Sequence, residues 1–150
     1  MLAVNTYLDR SATHGIGLFA GEKIISGTLV WEFNPAVDLQ FTLEQWQDLQ
    51  GKISSQSFAS LVRHSYKEDG LFYLCLDNAQ FMNHDLQNDN IQQNHNSNTM
   101  HAMRDIAPDE ELFCNYFDYS DPDDIHLRKL SHSSAVMQQG DFSLFQKEGG

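Results

Sequence analysis

Basic residues are scarce: nine Lys and Arg stand against 21 Asp and Glu, a formal net charge of −12. Binding to a phosphate backbone draws on clustered Lys and Arg, so no direct nucleic-acid partner is expected. Cysteine is scarce too. Cys75 and Cys114 both lie in apolar runs without C-x-x-C spacing, which predicts buried free thiols and a reducing compartment. No segment approaches the ~18 uninterrupted apolar residues of a membrane helix. Met1 to Thr6 places no basic region ahead of an apolar core, so neither a secretory signal nor a membrane association is expected. Together these absences predict an intracellular protein, cytoplasmic or nuclear.

What is present describes one domain. The 150 residues are 41% hydrophobic and 20% charged, enough to bury a core but not to divide into two. The acid excess would steer a basic peptide towards the surface, and it also serves solubility.

Short runs rich in β-branched and aromatic residues, Leu2 to Leu8 and Thr28 to Phe33, predict strands. Gly15 and Gly17 precede the apolar run from Leu18, where a glycine pair lets the backbone turn tightly or approach a ligand. Leu39, Leu43, Trp46 and Gln50 share a helical face, with Thr42 and Gln45 as a capping box and Gly51 as a stop. A second helix is predicted over Gln56 to His64. Leu71 to Leu76 reads as a buried strand leading into Phe81-Met82-Asn83-His84. The Asn-rich stretch 85–98 predicts loop. Thr99 to Ile106 and Glu111 to Tyr116 predict a hairpin, joined by a type I turn with Pro108 in second position. Asp121 and Pro122 predict an N-cap and first turn for a helix from Asp123 to about Ser131. The last twenty residues predict a loose tail with Phe142 and Phe145 available to dock.

Three pieces then stand in order: Gly15-Ile16-Gly17 before a strand, Asn83-His84 after one, and Glu110-Glu111-Leu112-Phe113-Cys114-Asn115-Tyr116 after a turn. Together they resemble the SET-domain family of protein-lysine methyltransferases, over about Tyr7 to Tyr119. The resemblance implies a mainly β, β-clip fold with short helices, in which small curved sheets carry a C-terminal pseudoknot. It implies a SET domain over 1–120, with a helical insert at about 40–65, followed by a C-terminal helix and tail over 121–150. It also implies S-adenosyl-L-methionine (AdoMet) as cofactor, held by Gly15, Ile16, Gly17, Asn83, His84 and Tyr116, with Tyr116 catalytic. The substrate implied is a lysine side chain in a basic protein or peptide such as a histone, its channel drawn from Tyr73, Cys114, Phe117 and Tyr119. The chemistry suits these parts: methyl transfer to an amine is in-line displacement, governed by alignment and by delivering the amine neutral.

The chain departs from the family pattern at Asp85 to Asn90, where Ser and Pro are missing, at Gln80, and at Asn115. A catalytically inactive SET-like AdoMet- or peptide-binding module is the alternative these departures raise. Cys114 stands where the family has a Phe or Tyr that limits methylation, so products beyond monomethyl-lysine are expected. The cysteine-rich zinc segment of some relatives is missing. No metal is expected: His84, His95 and His101 match no zinc spacing, and Asp121 to Asp124 lacks the Gly and closing Glu of a calcium loop.

Overall fold

The computed structural model describes residues 1–130. β1 (Thr6–Arg10) and β2 (Ile16–Ala20) form an antiparallel pair in register from Thr6↔Ala20 to Arg10↔Ile16. β3 (Leu29–Glu32) joins a second sheet, and β4 (Asp38–Phe41) a third. Two helices follow, α1 (Leu43–Lys52) and α2 (Ser55–His64), then β5 (Ser65–Glu68) and β6 (Leu71–Cys75), which complete the third sheet in the order β4-β6-β5. A 3-10 turn at Asn78–Phe81 delivers the chain into β7 (Asn83–His84). β8 (Ile91–Asn94), β9 (Thr99–Ala102) and β10 (Phe113–Cys114) finish the second sheet, ordered β3-β9-β8-β10-β7. The fold is mainly β with short helices, and among the described residues no helix is long and apolar enough to cross a membrane.

The capping box forms: Thr42 Oγ1 accepts from Gln45 N at 3.2 Å and Gln45 Oε1 accepts from Thr42 N at 2.8 Å. Gly51 does not stop α1, which runs to Lys52. Trp46 is the residue α1 buries, stacked on Phe72 at 5.0 Å and flanked by Phe41 and Phe58. Leu39 and Leu43 stay largely exposed. The core proper lies between the sheets, where Leu18, Val30, Ile106 and Leu112 are fully buried.

Several expectations are corrected. The first strand starts at Thr6, and Leu2 makes only an isolated bridge to Trp31. The stretch 85–98 is not all loop, because Ile91 to Asn94 is a strand paired with β9. Its inward positions are Ile91 and Gln93, so an amide occupies a core-facing site and hides the alternation. Thr99 to Ile106 and Glu111 to Tyr116 do not form a hairpin. Residues 110–112 pair with β2 instead, through Ala20 N→Glu110 O at 2.9 Å and Leu112 N→Leu18 O at 2.7 Å. The turn between them closes by Glu110 N→Ala107 O with Asp109 at φ +67°, which makes it type II rather than type I. Asp121 is no N-cap: its carboxylate accepts from Asp69 N and Gly70 N at 2.8 and 2.9 Å, pinning the C-terminal segment to the β5–β6 turn. Asp124 does the capping, accepting from His126 N at 2.7 Å ahead of a helix over 125–130. The tail beyond 130, with Phe142 and Phe145, lies outside the described residues.

β10 occupies a slot between β7 and β8, parallel to both, so the 85–90 connection crosses over it. Asn90, 1% exposed, is the fastening. Its Oδ1 accepts from Phe113 N at 2.9 Å, its Nδ2 donates to Glu111 O at 2.9 Å, and its own N–H donates to Phe113 O at 3.0 Å. Asn90→Ala leaves Phe113 N–H and Glu111 C=O buried and unpaired. The expected loss is about 2–4 kcal/mol in urea unfolding, and an unchanged midpoint would show that the slot does not depend on this amide.

Candidate active site

Gly15 sits at φ +60°, a conformation that favours glycine. Gly17 makes room for a side chain: a Cβ there would lie 2.0 Å from Glu111 Oε1 and would displace that carboxylate. The Glu111 carboxylate is half of a clamp on this loop. Its Oε2 accepts from Ser11 Oγ at 2.9 Å, and Ser11 Oγ in turn accepts from the backbone N–H of Thr13 and His14. Asn83 is the other half. Its Nδ2 lies 3.1 Å from His14 O, 3.1 Å from Ile16 O and 3.0 Å from Glu111 Oε1. The amide thereby ties β7 to the glycine turn, and its Oδ1 has no partner among the described residues.

β10 lies in parallel register with β7, pairing Cys114 with His84. His84 Nδ1 accepts from Tyr116 N at 3.0 Å, which places Tyr116 as the chain leaves the slot. The Tyr116 hydroxyl donates to Met82 O at 2.9 Å. Burial raises the Tyr116 pKa well above that of an exposed phenol, with the neighbouring Cys114 and Asp124 adding to the effect. Tyr116 is therefore a neutral hydrogen-bonding hydroxyl, not a phenolate. Burial likewise pushes the Cys114 thiol up to about 12 and raises Tyr119, so both also stay protonated.

These side chains face a cavity lined by Trp31, Tyr66, Met82, Cys114, Tyr116 and Tyr119, with Arg63, His64, Gln80 and His126 also on its walls. Two buried polar atoms on these walls, Trp31 Nε1 and Tyr66 Oη, make no hydrogen bond among the described residues. Cys114 Sγ lies 3.4 Å from Tyr119 Oη. His126 Nε2 lies 3.1 Å from Val62 O and 2.9 Å from Ser65 O, closing the C-terminal segment over the end of α2.

Of the substrate residues expected from sequence, Cys114 and Tyr119 line the cavity. Tyr73 and Phe117 do not. Tyr73 stands one layer behind, stacked on Tyr66 at 5.1 Å with its hydroxyl accepting from Gln40 Nε2. Phe117 is 47% exposed and edge-on to the His84 ring at 5.5 Å, on the outer side of the knot. Gly15, Ile16, Gly17, Asn83, His84 and Tyr116 are brought into one neighbourhood by the bonds above. Sequence reasoning missed Trp31, Tyr66 and His126. Tyr66 and His126 carried only a weak signal, an aromatic in a short strand and a histidine past the last motif. The unusual loop after His84 is locally well made, since Asp85 Oδ1 accepts from Gln87 N at 2.8 Å and Asn88 N at 3.0 Å.

A family model described as SET domain matches residues 15–117. No curated protein matches. Among solved structures, the chain is similar to a candidate histone methyltransferase of Plasmodium falciparum, with TM-score 0.50 and 20% identity, over 77% of this chain and 95% of that one. It is similar to ctPRC2 in an autoinhibited conformation bound to S-adenosylmethionine, with TM-score 0.57 and 21% identity, over 89% of this chain and 17% of that one. It is also similar to Chaetomium thermophilum Polycomb Repressive Complex 2 bound to GSK126, with TM-score 0.57 and 21% identity, over 87% of this chain and 18% of that one. The chain thus spans less than a fifth of each Polycomb chain, and these likenesses are of fold.

His84 can accept from Tyr116 N only while Nδ1 keeps its lone pair. Burial lowers the His84 pKa below its ordinary value. The unfolded chain therefore binds this proton more readily than the folded one, and folded stability falls as pH drops from the usual histidine range, near ~6.5. Urea midpoints at pH 7.5 and 5.5 should differ more for wild type than for His84→Gln. An equal drop in both would remove His84 from the pH response.

Proposed function

The chain belongs to the SET-domain family, and from that we propose that it transfers a methyl group from AdoMet to the side-chain amine of a lysine in a basic protein, such as a histone or histone-like protein. The observation that carries the reading is the placement of Tyr116. Its neutral hydroxyl is fixed by Met82 O at the wall of an aromatic cavity, while its backbone is fixed by His84 beside the Asn83-bound glycine turn.

AdoMet, when bound, supplies an electrophilic methyl on a sulfonium. The residues present fit it. Gly15 has open space where a side chain would stand, the glycine turn is held open by Glu111 and Asn83, and Asn83 Oδ1 is free to accept from an ammonium. Gly15, Ile16, Gly17, Asn83 and His84 are the residues that would hold it. On the cavity side, Trp31, Tyr66, Tyr116 and Tyr119 offer ring faces that attract a lysine ammonium on entry. Deeper burial then favours the free amine over the ion. Tyr116 Oη, already donating to Met82 O, has a lone pair left to accept from the amine, and Tyr66 Oη is free to do the same. Cys114 and Tyr119 bound the space around that amine.

The deciding experiment incubates wild type, Tyr116→Phe and Asn83→Ala with labelled AdoMet and a mixture of basic proteins, alongside calorimetric titration with AdoMet. Wild type should label a protein. Tyr116→Phe should lose on the order of 100-fold in rate, as when one positioned hydrogen-bonding group is removed, while keeping AdoMet affinity. Asn83→Ala should lose that affinity. Tight AdoMet binding by wild type with no labelled product would instead support a non-catalytic AdoMet- or peptide-binding module.

The room left by Cys114 is shared with the Tyr119 hydroxyl, 3.4 Å from its sulfur. Product multiplicity is accordingly set by this pair, and Tyr119→Phe should raise the share of di- and trimethyl-lysine seen by mass spectrometry. An unchanged product distribution would exclude Tyr119 from setting it.

A further inference from the structure

Four of the nine Lys and Arg side chains of this acidic chain face a carboxylate. Lys23 faces Asp105, Lys52 faces Asp48, Lys67 faces Asp121 and Asp123, and Arg104 faces Glu110. Arg63 is different. It lies in the last turn of α2, is exposed, lines the cavity, and its side chain makes no ion pair or hydrogen bond among the described residues. His64 and Gln80, both able to donate, line the same cavity. A basic residue suits a helix C-terminus through the macrodipole, but that does not account for an arginine without an ion pair on the lining of a cavity that also carries Trp31, Tyr66, Tyr116 and Tyr119.

An unneutralised arginine beside a site for an amine would repel a lysine ammonium unless the substrate brought an anion with it. We propose that Arg63 is a specificity residue that reads a carboxylate next to the target lysine, supplied by a flanking Asp or Glu or by the substrate's own C-terminus. This rests on the lysine-methyltransferase reading above. It works on a different length scale from the net charge of −12. The overall field draws in a basic chain from a distance, whereas Arg63 makes a short charge-assisted contact that discriminates among lysines already arrived.

The test uses one basic host peptide with a single lysine, its neighbouring positions set to Glu, Gln or Arg, and a second pair ending at the lysine as free acid or amide. Labelling by AdoMet and binding by fluorescence anisotropy are measured for wild type, Arg63→Gln and Arg63→Glu. Wild type should favour the Glu-flanked or free-acid peptide over its neutral counterpart by about tenfold, the worth of one charge-assisted hydrogen bond, and whichever pair shows it identifies the source of the carboxylate. Arg63→Gln should bring that ratio close to one, and Arg63→Glu should turn the preference towards the Arg-flanked peptide. Labelling without preference by wild type, or a preference that survives Arg63→Gln, overturns the proposal and leaves the methyltransferase reading standing. Arg63-dependent binding without label keeps the carboxylate contact and overturns that reading. Neither binding nor label overturns both.

Discussion

Everything in this structure that bears on function depends on two residues of backbone, Phe113 and Cys114, lying between strands they are remote from in sequence. The parallel pairing with β7 sets Cys114 opposite His84 and lets the His84 ring catch Tyr116 N two residues later. On the other side, Asn90 holds Phe113 from above and below in the chain. A shift of one residue in this slot would turn Cys114 and Tyr116 away from the cavity, because neighbouring side chains in extended chain point to opposite faces. The slot therefore fixes the position of Tyr116 through main-chain register, with a single buried amide doing the fastening.

The second organising constraint is charge neutrality around Tyr116. Tyr116, Tyr119 and Cys114 are each held protonated by burial, so this wall of the cavity presents dipoles and ring faces, while the formal charge of the lining belongs to the exposed Arg63. A site of this kind can guide a cation inwards and still favour its neutral form at depth. The nearby carboxylates are engaged elsewhere: Glu111 serves the glycine turn, and Asp121 and Asp124 serve the backbone of the β5–β6 hairpin. Each of these carboxylates receives N–H or O–H donors, which answers the cost of burying it.

Much of this was legible before any coordinates. The capping box at Thr42, the glycine turn, the buried thiols and the neighbourhood of Gly15, Gly17, Asn83, His84 and Tyr116 follow from local rules and ordered motifs. What failed was whatever depended on distant pairing. β8 resembles loop in the sequence because Gln93 sits where an apolar residue would announce a strand, its Nε2 donating to the Glu68 carboxylate of the neighbouring sheet. Residues 99–106 and 111–116 mimic a hairpin because they are neighbours in sequence, while each has a better partner elsewhere. Tyr73 and Tyr66 differ only in which layer of one stack they occupy, and composition carries no such depth. Asp121 looked like a cap because its role, accepting from Asp69 and Gly70, lies some fifty residues away.

The slot also imposes an order on biosynthesis. A ribosome delivers the glycine turn, Asn83, His84 and Asn90 well before Cys114 and Tyr116, and contacts so far apart along the chain form late. Until that last strand emerges, the crossing loop has nothing to enclose and His84 has no backbone amide to catch. A nascent chain therefore holds an unfinished site until Phe113 and Cys114 emerge, and its geometry is completed abruptly by a single short segment rather than accumulating residue by residue.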